Sequence, residues 1–135
     1  MLRTILAVLA GLMVAVLTML ASEYISMSLF PPPPGTSLDT EADLARLIAS
    51  APTGKLLWVL FGWALAAFVG GWVASRISRR HRVAAAISVG VFIVAGVALN
   101  VSMLPHPLWM TVAGIALPIP AAWLATRIGP SQPPA

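Results

Sequence analysis

Four apolar runs occupy residues 3–29, 55–75, 83–104 and 108–127. Each is close to the ~20 residues a helix needs to cross a hydrocarbon core. Lipid offers no partner for backbone N–H and C=O groups, so a run of this length satisfies them internally, as a helix. Composition agrees. Only 9% of the 135 residues are charged and 59% are hydrophobic, whereas a soluble domain carries about 25% charged residues. The expected fold class is all-α: an integral membrane four-helix bundle, with residues 1–135 as a single transmembrane domain. The pI near 11.3 rests on only 8 basic and 4 acidic residues. With no separate polar domain to hold DNA or RNA, nucleic acid is not an expected partner.

Charge placement sets the topology. Residues 76–82 carry four arginines (Arg76, Arg79, Arg80 and Arg82) between the second and third runs. Arginine-rich short loops are retained in the cytoplasm. With that inner loop fixed, Arg3 and Arg127 fall on the same side, while Arg46 and Lys55 fall on the other with Asp39, Glu41 and Asp43. Six basic residues against two place both termini in the cytoplasm. Trp58 and Trp109 then mark the outer interface, and Trp72 and Trp123 the inner one. The first run also has a rival reading as a cleaved signal peptide. Its apolar stretch of about 17 residues before Ser22 exceeds the usual h-region, which favours a retained span.

The connections carry their own signals. Four consecutive prolines, Pro31 to Pro34, end the first run and impose a stiff extended spacer. Within the outer loop, residues 30–54, the stretch 37–50 reads as a short amphipathic helix. Thr40 and Asp43 are spaced as a capping box, and Leu44, Leu47 and Ile48 share a face. Pro105-His106-Pro107 is a tight turn, and residues 128–135 read as a disordered tail. Small residues recur at four-residue spacing: Ala7, Gly11 and Ala15 in the first run, then Ala66, Gly70 and Ala74 in the second. A parallel row holds Ala67, Gly71 and Ser75. Such rows let helices approach closely in lipid, and the Ala66–Gly70–Ala74 face is the candidate packing face, expected to pack against further copies of the chain or a larger complex.

Glu23 is the only acidic residue within an apolar run, and an ionisable group near lipid is a functional candidate. At ~1.5 Å per residue, Glu23 lies about 30 Å above Arg3 and Asn100 about 27 Å above Arg82. With Ser26 and His106 they form a candidate polar cluster at the outer end, whose chemistry is a proton or cation relay or simple packing. Pro118 and Pro120 free the carbonyls of Gly114 and Ala116 within the fourth run, a helix break of the kind that lines some transport sites. Cysteine is absent. Met13, Met19, Met27, Met103 and Met110 with His106 form a soft donor set suited to Cu(I), but no Met-x-x-Met spacing supports one, so no metal or cofactor is expected. No G-x-S-x-G, H-E-x-x-H or phosphate-loop motif is present, so the chain is not expected to be an enzyme.

The segments Glu23-Tyr24, Phe30-Pro31-Pro32-Pro33, Pro105-His106-Pro107-Leu108-Trp109 and Pro118-Ile119-Pro120-Ala121-Ala122-Trp123 resemble small four-span bacterial membrane proteins of uncharacterised function. That resemblance covers most of the chain and implies no activity, cofactor or partner. The expectation is therefore a small non-enzymatic membrane protein whose partners are the bilayer and either further copies of itself or a larger membrane complex. The rival is a small proton- or cation-coupled transporter or channel built on Glu23 and the Pro118–Pro120 break.

Overall fold

The computed structural model describes residues 1–128. Among these residues all regular structure is helical, with no strand: α1 (Leu2–Leu29), α2 (Glu41–Ala49), α3 (Thr53–Ile77), α4 (Arg82–Met103), α5 (Leu108–Ala116) and α6 (Pro118–Ala125). α1, α3 and α4 are long and apolar enough to cross a membrane, and α5 with α6 makes a fourth such span, Leu108–Ala125. This is a multi-pass helical bundle. The residues of the expected tail beyond position 128 lie outside the described residues.

Element ends follow from local chemistry and shift the expected boundaries. α3 begins at Thr53, two residues early, because Pro52 sits at its N-cap with φ −65° and lacks an N–H that would go unpaired there. It runs to Ile77 instead of residue 75. Arg76 lies in its last turn, and Arg3 Nε donates to the Ile77 carbonyl at 2.8 Å, satisfying an orphan acceptor of the helix end. The expected inner loop of residues 76–82 thereby shrinks to 78–81. α4 stops at Met103 because Leu104 precedes Pro105 and takes an extended conformation, φ −123° and ψ 135°. The fourth span ends at Ala125, short of 127, with Thr126 as its C-cap.

α3 is the hub. It packs against α1 on one side, against α5 and α6 on another, and against α4 between them. Among the described residues α1 makes no close backbone approach to α5 or α6, so the four spans form a flattened diamond with α3 and α4 on the short diagonal. The Ala66–Gly70–Ala74 row meets Ala7, Gly11 and Ala15 of α1, and all six are buried. A methyl group built on Gly11 would lie 2.6 Å from the Gly70 carbonyl oxygen, and one built on Gly70 would lie 2.6 Å from that of Gly11. Two backbones in direct contact gain dispersion along their whole length, which is the main attraction left between helices in lipid. This contact corrects one expectation: the Ala66–Gly70–Ala74 face is covered within the chain and is not free for a partner. The neighbouring row serves α6, where a methyl at Gly71 would sit 3.0 Å from Ala122 Cα.

α2 has its capping box: Thr40 Oγ1 accepts from the Asp43 amide at 3.2 Å, and Asp43 accepts from the Thr40 amide at 3.3 Å. The Thr40 hydroxyl, then that of Ser37, holds the Asp43 carboxyl below its ordinary value. A depressed carboxylate contributes stability that is complete above its unfolded pKa, ~3.9, and is lost as pH falls through the lower folded value. Helicity of α2 is therefore expected to stay level from neutrality to about pH 4 and to fray below that. Thr40→Ala should weaken this helix by about 1 kcal/mol at neutral pH. Amide hydrogen exchange across residues 41–49 checks both; exchange unchanged by Thr40→Ala would contradict the capping argument.

Candidate functional site

The chain alternates direction so that all six basic residues of the inner set share one end. Arg82 donates to the Thr126 carbonyl at 3.4 Å, tying the start of α4 to the end of α6, as Arg3 ties α1 to α3. The acidic residues Glu23, Asp39, Glu41 and Asp43 lie toward the opposite end. There the spans diverge around a cavity of about 270 Å³.

Glu23 of α1, Asn100 of α4 and His106 of the Pro105-His106-Pro107 turn line this one cavity. Helical rise explains the match, since α1 and α4 both run from the arginine end and reach the same height. Ser26 does not join them. It belongs to the buried stripe of α1 that includes Ala15 and Ser22, and its hydroxyl has no hydrogen-bond partner among the described residues. The physical reason is angular: positions 22 and 26 follow the α3-facing row, and Glu23 sits 100° round from Ser22. Ser22 itself rests on Gly62, where an added methyl would come 2.6 Å from its Oγ. Trp58 Nε1 donates to the Ser22 carbonyl at 3.0 Å and pins α1 to α3 at this height.

Two further side chains, Lys55 and Trp63, carry no sequence signal that places them at this cavity. Lys55, in the first turn of α3, lines the cavity opposite in charge to Glu23, and Trp63 forms its floor with Met110. Trp63 is seated by Gly114, where a methyl would fall 2.6 Å from the indole ring. The ring lies 6.0 Å from that of His106, centroid to centroid. His106 Nδ1 bonds the Leu104 carbonyl at 2.8 Å. A carbonyl only accepts, so Nδ1 carries the hydrogen and a neutral ring keeps its lone pair on Nε2. The roof is α2, whose Leu44, Leu47 and Ile48 line the cavity. No backbone of α2 approaches another helix closely, so side chains alone seat this roof.

A second cavity, about 290 Å³, runs along the α1–α3 seam beside Val16, Met19 and Leu20. It shares Glu23, Val59 and Trp63 with the first, so the carboxylate stands where the roofed cavity meets the lateral cleft. Toward the arginine end the interior is closed by Ala66, Ala67, Ala74, Val89 and Ala122, each fully buried.

The proline pair lies elsewhere. Neither Pro118 nor Pro120 lines the cavity. Pro118 is buried, and its carbonyl is seated against Gly90, where a methyl would lie 3.1 Å away. The break divides α5 from α6 and presses the second half onto α4. The methionines do not converge either: Met13, Met27 and Met103 are exposed, while Met110 is buried. Among the described residues no group of His, Asp and Glu is arranged to hold a metal ion.

Fold and site together define the class: a multi-pass helical membrane protein with a roofed, largely apolar cavity that carries a few polar side chains at one end of the bundle. No protein-family model matches the chain, and no curated protein or solved structure matches it.

Proposed function

We propose that this chain is a small non-enzymatic protein of a bacterial cytoplasmic membrane, with both termini in the cytoplasm, that binds a small zwitterionic solute in its outer cavity. The observation that carries this reading is the gathering of Glu23, Lys55, Asn100 and His106 around one cavity. A carboxylate and an ammonium in the same apolar-walled space match a solute with a cationic and an anionic group. Asn100 and the Nε2 atom of His106 add further hydrogen-bonding positions. The packed inner half supports binding without passage, because backbones in contact at Gly11 and Gly70 leave no room for a solute to follow. A bound state in so small a protein is communicated through what it touches in the membrane, further copies of itself or a larger complex.

Proton- or cation-coupled transport is the second reading, favoured by the position of Glu23 at the join of two cavities. Calorimetry with phosphoethanolamine and glycine betaine, beside flux measurements in proteoliposomes, separates the two. Saturable binding without flux is the expected result. Flux that disappears in Glu23→Gln would move the assignment to transport, and neither binding nor flux would remove both readings.

A further inference from the structure

At the arginine end a separate cavity of about 410 Å³ is lined by Arg3, Thr4, Ser78, Arg79, Arg80 and His81. We propose that it holds the phosphate of an anionic phospholipid. The basic residues at this end divide into two groups. Arg76 and Arg127 lie over the rings of Trp72 and Trp123, at 5.1 and 4.4 Å from their centroids, and Arg82 is engaged with the Thr126 carbonyl. The other three guanidiniums meet at the cavity.

Arg3 spends only its Nε, on the Ile77 carbonyl, and keeps its two terminal nitrogens for a ligand. The side chains of Arg79 and Arg80 are exposed and make no hydrogen bond or ion pair among the described residues. Among the described residues no Asp or Glu side chain shares this end of the bundle. Three like charges beside a low-dielectric slab repel one another, and an anion between them relieves that repulsion.

The hydroxyls point to oxygen ligands. Thr4 Oγ1 and Ser78 Oγ lie 3.1 Å apart, sharing a single hydrogen bond, and Ser78 is 1% exposed. Two hydroxyl hydrogens serve that one bond, so the second is available to an incoming acceptor. The α1 N-terminus adds partial positive charge at the same place. Guanidiniums with a hydroxyl donor suit a phosphodiester, whose planar O–P–O edge guanidinium matches in pairs. The occupant is a lipid because the cavity lies where the apolar spans α1 and α3 end. In the same first turns of α1 as Arg3 and Thr4, Leu2, Ile5 and Leu6 are exposed as an apolar surface for acyl chains.

The test is native mass spectrometry of the purified full chain titrated with phosphatidylglycerol and phosphatidylcholine. Phosphatidylglycerol adducts should be retained at least fivefold more, and Arg79→Gln with Arg80→Gln should abolish the preference. Arg76→Gln with Arg127→Gln removes the same charge from the same end and should leave it intact. Equal loss in both double variants would mean diffuse attraction and overturn the site. Displacement of phosphatidylglycerol by millimolar inorganic phosphate would make the ligand free phosphate and overturn the lipid assignment. A photoreactive phosphatidylglycerol on the unaltered protein reads the site independently of any variant's folding. Attachment within residues 1–6 and 78–81 supports it, and attachment spread over the remaining surface overturns it.

Discussion

Gly70→Leu is expected to abolish the native packing of α1 on α3. Already the first carbon of any side chain at Gly70 lies 2.6 Å from the Gly11 carbonyl oxygen and 2.9 Å from Ala15 Cβ. Neither neighbour is the end of a flexible chain, so the helices must separate. Overpacking a core commonly costs about 1–3 kcal/mol. Here even Gly70→Ala should reach the upper part of that range, since the displaced partner is backbone along a long seam. Gly11→Ala should behave alike, because the contact is reciprocal. Gly96 provides the control: it lies on the same kind of helix, but a methyl there meets nothing within 4 Å. Gly96→Ala should be neutral or stabilising by up to ~1 kcal/mol, the helix-propensity difference. Thermal melting in one detergent compares them. If Gly70→Ala melted with Gly96→Ala, the backbone contact would not be what holds α1 in place.

Glu23→Gln should have the opposite signature, with the fold unaltered and solute affinity lowered tenfold or more. The side chain is exposed and has no ion-pair or hydrogen-bond partner among the described residues, so the isosteric amide removes nothing from the packing. It does remove the one carboxylate lining the cavity, leaving a solute's cationic group without an anionic partner there. Hydrogen bonds to charged groups contribute about 1.5–3 kcal/mol, and 1.4 kcal/mol is tenfold in affinity. Ser26→Ala should leave affinity unchanged, because Ser26 lies outside the cavity lining. The zwitterion reading would not survive a Glu23→Gln protein that binds phosphoethanolamine as tightly as the parent. A lowered melting point matching that of Gly70→Ala would instead make Glu23 a structural residue.

Much of this architecture was legible one-dimensionally. Span lengths, the capping box at Thr40 and Asp43, the proline stops at Pro31 and Pro105 and the segregation of arginines depend on neighbours along the chain. So does the equal height of Glu23 and Asn100, which needs only helical rise and a shared starting end. Angular and pairwise information was not available in that way. Ser26 sits three residues from Glu23, yet the stripe to which it belongs is buried by α3. Lys55 and Trp63 came to the cavity because α3 passes between α1 and α5, an arrangement that no periodicity encodes. Gly114 is needed for the contact with the Trp63 ring, a requirement set by a residue of another helix.

The sequence by itself determined that the chain crosses a membrane, how often, and which ends lie together, because lipid enforces internal hydrogen bonding and penalises misplaced charge residue by residue. Tertiary structure alone decided how the small-residue rows are spent. Ala66, Gly70 and Ala74 could have faced another molecule as readily as α1, since in lipid any close-fitting surface gains the same dispersion. They face Ala7, Gly11 and Ala15 because those rows are complementary at the height where the two helices cross. That crossing closes the arginine end of the bundle and leaves the opposite end open around Glu23.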